Sequence, residues 1–337
     1  MMLKSKKFQA LAAGIMLTLA LGLVGCGGGD KKAEKKADGA KKVSVGIVQL
    51  VEHAALDATN KGFVDGLKAK GFEEGKNITY DRQNAQADQS NLQNIAQRFV
   101  NNKVNLIYAI ATPAAQTVAN ATKDIPIVGS AITDYKSAKL VKDNNKPGTN
   151  VTGCTDMNPI AEQLDLLLKI VPNAKTVGTI YTSSEVNSQI QVNILKEAAK
   201  KKNVAVKEAT VSTVNDIQQA ARSLVGKVDA IYLPTDNILA SAMPTLAIVT
   251  EEAKLPVICG ESNMVKAGGI ATLGVDYYKL GVQAGGMAAD ILQGKSKPQD
   301  MPIQAQKEFK PFINMKEANK IGLKIPEAVL KGAEVMK

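Results

Sequence analysis

The chain has 337 residues, long enough for two domains that each bury a core, and its 45% apolar and 22% charged residues are the proportions of a water-soluble globular protein. The formal charge of +10 does not point to nucleic acid: only Arg82, Arg98 and Arg222 supply guanidinium groups, and the lysines are dispersed over helix faces instead of gathered into a stripe. A single histidine, His53, and three widely spaced cysteines offer no metal-ligand spacing, so neither a metal nor another cofactor is expected.

The first segment reads as an export signal. Lys4, Lys6 and Lys7 precede the apolar run "FQALAAGIMLTLALGLVG", which ends at Cys26 and is followed by Gly27, Gly28 and Gly29. Leu23-Val24-Gly25-Cys26 resembles the bacterial lipobox, in which the Cys is acylated and becomes the first residue of the mature protein. Residues 1–25 are therefore expected to be a lipoprotein signal peptide, with Cys26 as the lipid anchor and a mature charge of about +7 once those three lysines are lost. Residues 26–42 include "DKKAEKKADGAKK", Lys-rich and without a large apolar side chain, and read as a flexible tether.

From Val43 strands and helices alternate. "VSVGIVQLV" is a strand and "ALDATNKGFVDGLKAKG" a helix. "NITYDRQNA" and "DQSNLQNIAQRFVNNK" repeat the pair, with Leu92, Ile95, Ala96 and Phe99 at helical spacing. "VNLIYAIA", "PAAQTVANATK" and "IPIVGSAIT" continue it. After Pro147-Gly148 the series restarts with "EQLDLLLKIVP", "KTVGTIYT", "SQIQVNILKEAAKKKN", "VAVKEATVS", "VNDIQQAARSLVG", "VDAIYLP", "ILASAMPTLAIVTEEAK" and "LPVICGES". Such alternation predicts βαβ crossovers and parallel sheets.

The two series match element by element. Val45-Gly46 corresponds to Val177-Gly178 at an offset of 132, Leu67-Lys68 to Leu195-Lys196 at 128, Val104 to Val228 at 124, and Ile125 to Leu255 at 130. A near-constant offset predicts an α/β protein of two Rossmann-like, doubly wound parallel-sheet lobes. A helix over 274–294 and a tail holding a short strand and two helical stretches follow. They are expected to return to the first lobe and cross again, making a multi-strand hinge. The predicted division is 43–150 with about 274–302 as lobe 1 and 151–273 with about 303–337 as lobe 2.

In open parallel sheets ligands bind beyond the carboxyl ends of the strands, near helix N-termini. Two lobes facing one another make a clamp with those ends on both walls. The strand ends carry Glu52-His53, Thr112-Pro113-Ala114, Ser130 to Asp134, Ser184-Glu185-Val186-Asn187-Ser188, Thr235-Asp236-Asn237 and Gly260-Glu261-Ser262. Thr112 and Asp236 occupy equivalent positions. A hydroxyl with free N–H groups on one wall and an acid on the other suits a zwitterionic α-amino acid, although Thr112, Asp236 and Asn187 are also good helix caps. Cys154 and Cys259 could form a disulfide in an exported protein, yet each sits in a strand-like apolar stretch, which favours two free buried thiols; the sequence leaves the pairing open. No nucleophile and base pair, P-loop or dinucleotide fingerprint is present, so an enzyme is not expected.

"VGIVQLVEHAALD", "ATPAAQ", "PGTNVTG", "SSEVNS", "LPTDN", "GES" and "INMKEANKIGLKIP", together with the lipobox, resemble the substrate-binding lipoproteins of ABC importers of the tryptophan/tyrosine-type group, from Val43 to the C-terminus. The resemblance implies a type I periplasmic-binding-protein fold and an aromatic or other apolar amino acid as ligand: tryptophan, tyrosine or phenylalanine. It also implies an extracytoplasmic, lipid-anchored monomer that serves ABC permease subunits. Carried over by position, it makes His53, Thr112, Pro113, Ala114, Ser184, Glu185, Asn187, Ser188, Asp236, Asn237, Asp276 and Tyr277 ligand-binding. Ala54 stands where the family pattern has Pro, a change that bears on loop stiffness. The alternative is a sensory or surface lipoprotein that binds another small ligand, such as a sugar, without import.

Overall fold

A computed structural model describes residues 42–337. The expected signal peptide, the anchor Cys26 and nearly all of the tether lie outside the described residues.

The first sheet is built from β1 (Val43–Gln49), β2 (Ile78–Asn84), β3 (Leu106–Ile110), β4 (Ile127–Ile132) and β5 (Val151–Thr155). Its interleaved helices are α1 (Ala54–Ala69), α2 (Gln89–Asn101) and α3 (Thr112–Ala121). The chain then crosses to α4 (Ile160–Ile170), β6 (Thr176–Thr182), α5 (Val186–Lys201), β7 (Ala205–Val211), α6 (Ile217–Leu224) and β8 (Ala230–Leu233). It continues through α7 (Asn237–Ser241), α8 (Met243–Glu252), β9 (Val257–Cys259), α9 (Ser262–Lys266) and β10 (Ala271–Gly274). It returns through α10 (Tyr277–Leu292) to β11 (Gln304–Ala305), and crosses a third time to β12 (Lys310–Asn314), α11 (Met315–Lys320), α12 (Glu327–Leu330) and β13 (Glu334–Met336).

The strand orders are β11-β5-β4-β3-β1-β2 and β13-β12-β10-β9-β8-β6-β7. The five strands β7-β6-β8-β9-β10 repeat the order β2-β1-β3-β4-β5, which is the doubly wound pattern that the sequence offsets predict. All pairings are parallel except β10 with β12. Because helices cover both faces, the central strands are buried throughout: β3, β4 and β8 have no exposed position. Helix α2 buries Leu92, Ile95, Ala96 and Phe99, the stripe its periodicity predicts, and Asp88 caps it by accepting from Asn91 N–H.

The lobe boundaries differ from the expected ones. Residues 151–155 form β5 inside the first sheet, and the first crossover begins after Thr155 instead of after residue 150. β11 also belongs to the first sheet, pairing with β5, so the last crossover begins after Ala305. Between β4 and β5 the chain makes no helix. It is held instead by Tyr135, whose Oη donates to Cys154 O at 3.1 Å, and Gly153, at φ +148°, lets the backbones of β4 and β5 approach as a side chain would not. Cys154 and Cys259 are both free and buried, on β5 and β9 of different sheets.

Helix α10 returns onto α1 through glycines. A Cβ at Gly62 would fall on Tyr278 O, and one at Gly281 on Thr59 O, so the two backbones are in direct contact. This fixes Tyr277, the first residue of α10, at the mouth between the lobes.

The three crossovers are tied side by side. Asn158 Oδ1 accepts from Val275 N–H at 3.1 Å, while Gln306 both accepts from Asp276 N–H at 3.0 Å and donates to Asp276 O at 2.6 Å.

Candidate functional site

The carboxyl ends of both sheets face a common cleft. From lobe 1 it is walled by His53, Leu56, Ala131, Asp156 and Tyr277, and from lobe 2 by Thr235, Asp236, Asn237, Ala240, Glu261 and Met264, around a cavity of about 10 Å³, room for about one water. The lobes touch across it. Gln191 Nε2 donates to Thr133 Oγ1 at 3.2 Å, and His53 Nε2 lies 3.5 Å from Asn237 Oδ1.

Asn237 is oriented by its other end: its Nδ2 donates to Glu185 Oε2 at 2.7 Å, so its oxygen faces His53. Burial pushes the His53 imidazole down to about 4, against the opposing pull of Asn237 and Asp57, so the ring is neutral in the shut cleft.

Four acids stand near this centre, and no lysine or arginine lines it. Asp156 accepts from Tyr277 Oη at 2.6 Å and Thr133 Oγ1 at 3.3 Å, and its burial raises its carboxyl above the ordinary range. Glu261 caps α9 through Asn263 and Met264 N–H, and burial raises it too. Glu185 is pushed up to about 8, first by burial and then by the neighbouring charge of Asp236.

Asp236 itself is fully engaged inside lobe 2. Its Oδ2 accepts from Thr182 N–H at 2.6 Å and Ser188 Oγ at 2.7 Å, and its Oδ1 from Thr182 Oγ1 at 2.8 Å and Leu239 N–H at 3.0 Å. Of the two readings of this residue, pairing with an amine and helix capping, the geometry carries capping: no lone pair is left facing the cleft. Ser188, fully buried, is a holder of Asp236.

The head of α3 is built differently from the expected cap. Ala111 takes the cap position at φ +85°, ψ 152°, a conformation nearly confined to glycine, and Thr112 is the first helical residue. Thr112 Oγ1 is buried and bonds to nothing in the protein. The first N–H groups of a helix have no intrahelical acceptor, so Thr112, Pro113 and Ala114 present a positive helix end. Pro113 shares a recess with Ser184, which is exposed at the rim, and α3 packs against α5 across the cleft.

Asp276 is placed elsewhere than expected. It caps α10 by accepting from Lys279 N–H, its backbone is gripped by Gln306, and it lines an outer recess behind the crossovers with Lys266 and Lys310. The neighbouring Tyr277 does reach the cleft. Sequence reasoning missed Asp156 and Gln191, and named Thr235 at a strand end without making it ligand-binding; all three donate or accept at the centre of the cleft. Thr235 N–H donates to Gln191 Oε1 at 3.0 Å, and Gln191 Nε2 donates to Thr235 Oγ1 at 2.6 Å. Their signal was position alone: each follows a strand or lies one turn inside a helix whose N-terminus faces the cleft.

The family model of ABC transporter substrate binding proteins matches residues 44–337. The chain belongs to this family. Its substrate-binding members are binding proteins, not enzymes, and work outside the cytoplasm; among the described residues no helix is long and apolar enough to cross a membrane. This substrate-binding protein is 46% identical over 317 residues to a tyrosine-binding protein of Clostridioides difficile strain R20291, covering 93% of the chain and 91% of that relative. It is also similar to the ABC domain solved in complex with L-Trp from Streptococcus pneumoniae (40% identity, TM-score 0.85, 88% of this chain and 100% of that one). A ligand-free, open substrate-binding protein with adhesive properties from Clostridium difficile is more alike in sequence, at 45%, yet superposes less well, at TM-score 0.67, over 88% of this chain and 99% of that one. This substrate-binding protein thus superposes better on the liganded relative than on the open one.

Proposed function

We propose that this substrate-binding protein captures an aromatic amino acid, tyrosine or tryptophan, between its lobes, closes over it, and delivers it to the permease subunits of an ABC importer. The observation that carries the reading is the shut cleft itself. It is lined by the acids Asp156, Asp236 and Glu261, with no lysine or arginine, and by the apolar Leu56, Ala131, Ala240 and Met264 with Tyr277, while the N-terminus of α3, suited to a carboxylate, follows the carboxyl end of β3 on the same side of the first sheet. The names of the 46% and 40% identical relatives, which bind tyrosine and L-Trp, support the same ligand class and give no support to a sugar. His53, Thr112, Pro113, Ala114, Glu185, Asn187, Asn237 and Tyr277 form the ligand-facing set in this reading, joined by Asp156 and Gln191.

The protein works as a monomer held to the outer face of the membrane by lipid on Cys26. Closure is a population shift powered by contacts made only when both lobes grip the ligand.

A thermal-shift series over the amino acids and common sugars tests the reading. A ligand at a hundredfold excess over its Kd stabilises by about 2.7 kcal/mol. Tyrosine or tryptophan should raise the melting temperature and glucose should not; a response to sugars alone contradicts the assignment. Detergent partitioning of the full chain and its Cys26→Ala variant tests the anchor, with only the variant expected in the aqueous phase.

A further inference from the structure

Glu185 is a buried carboxylate with one satisfied and one abandoned oxygen. Its Oε2 accepts from Asn187 Nδ2 at 2.8 Å, Asn237 Nδ2 at 2.7 Å and Asn237 N–H at 3.1 Å, whereas Oε1 has no partner although the residue is only 3% exposed. Asn187, equally buried, repeats the pattern. Its Nδ2 is spent on Glu185, Ser188 Oγ and Thr235 O, and its Oδ1 bonds to nothing. Both open oxygens sit at the first turn of α5, the helix whose next turn carries Gln191 across to Thr133 of lobe 1. They adjoin the cleft through Asn237, which lines it and is bonded to Glu185, and α3, whose first residue Thr112 also has an unpartnered Oγ1, packs against α5.

Two buried oxygens without partners, one an amide oxygen and one on a carboxyl whose ionised form is disfavoured by burial and by Asp236, fit a compact guest with N–H donors and a positive charge, which restores the ionised form. Three N–H donors on Oε2 hold the carboxylate in place, so its free oxygen is preset for a charge-assisted bond. Leaving such a carboxylate shut in without a donor is costly, and Asp236 nearby adds repulsion.

We infer that Glu185 Oε1 and Asn187 Oδ1 are the ammonium seat of the cleft, and that Glu185 couples closure to the presence of a cationic amine on the ligand. This rests on the amino-acid reading and sharpens it. The α-ammonium goes to lobe 2, the α-carboxylate to the head of α3 in lobe 1, and a molecule that carries the ring and carboxylate without the amine does not shut the clamp. Glu185 is thereby the specificity-determining acid, in place of Asp236.

The test compares L-tyrosine with 3-(4-hydroxyphenyl)propionate, its des-amino analogue, by titration calorimetry on the mature protein and on Glu185→Gln and Asn187→Ala. Wild type should prefer tyrosine at least about a hundredfold, the equivalent of two good charged contacts. Glu185→Gln should weaken tyrosine by about tenfold or more and leave the analogue unchanged or tighter, collapsing the preference. Asn187→Ala should reduce the preference in the same direction, and serves if Glu185→Gln does not fold. Equal binding of both compounds by wild type, or an undiminished preference in folded Glu185→Gln, overturns the seat while leaving the amino-acid reading standing. Failure of wild type to bind tyrosine, tryptophan or phenylalanine overturns both.

Discussion

Tyr277 Oη donates to Asp156 Oδ2 at 2.6 Å, joining the first residue of α10 to the residue just beyond β5. The two stand where different crossovers meet the first lobe, so the bond ties those crossovers together beside the cleft. Asp156 is buried, with Thr133 as its other side-chain donor. Replacing Tyr277 by Phe keeps the ring and leaves the carboxylate short of its best donor. Tyr277→Phe should cost about 1–3 kcal/mol of stability in urea denaturation and weaken tyrosine binding. Unchanged stability would show that water replaces the hydroxyl at no cost.

Asp236 is expected to behave as a structural residue. Asp236→Asn turns one acceptor into a donor against Thr182 N–H and Ser188 Oγ, so lobe 2 should lose about 1–3 kcal/mol in a denaturant melt. The folded fraction should retain its preference for tyrosine over the des-amino analogue in calorimetry. Loss of that preference with stability intact would return the amine to Asp236.

The contact of α1 with α10 predicts that Gly281→Ala is far more damaging than a typical helix Gly→Ala change, which ordinarily stabilises. The new methyl meets Thr59 O with no room to yield, and overpacking of this kind costs about 1–3 kcal/mol or more. Gly286→Ala, a few residues along the same helix, has nothing within reach and should be neutral or stabilising. Thermal melts of the two variants provide the comparison.

The outline of the fold was legible because the repeat at a near-constant offset mirrors two identical strand orders. β5 escaped because "VTGCT" is short, contains glycine, and follows β4 without an intervening helix, so the alternation that reveals a βαβ unit is missing there. Asp156 escaped with it. Motif likeness marked Asp276 and Tyr277 together, but successive residues at a strand-to-helix turn point in different directions, and only Tyr277 reaches the cleft. Asp236 looked available because sequence shows a carboxylate and not the four donors that fill it. Glu185 was legible as a candidate, yet its open oxygen became visible only once Asn187 and Asn237 were seen to occupy the other one.

Affinity should depend on pH through His53. Its imidazole is held neutral by burial, pushed from the ordinary 6.5 down to about 4 in the shut cleft. A lowered value for a base means that closure is fully favoured above about pH 6.5 and loses favour as pH falls from there toward 4, because a proton must be shed to close. Tyrosine affinity should drop by up to about tenfold per pH unit across that window, and His53→Gln should flatten the slope. A wild-type profile without slope between pH 6.5 and 5 would show that the ring stays hydrated.

Small-angle scattering of the mature protein with and without saturating L-tyrosine tests the clamp most directly. The liganded protein should show a smaller radius of gyration, as the population moves to the shut arrangement. An unchanged radius with calorimetry showing the ligand bound would contradict it.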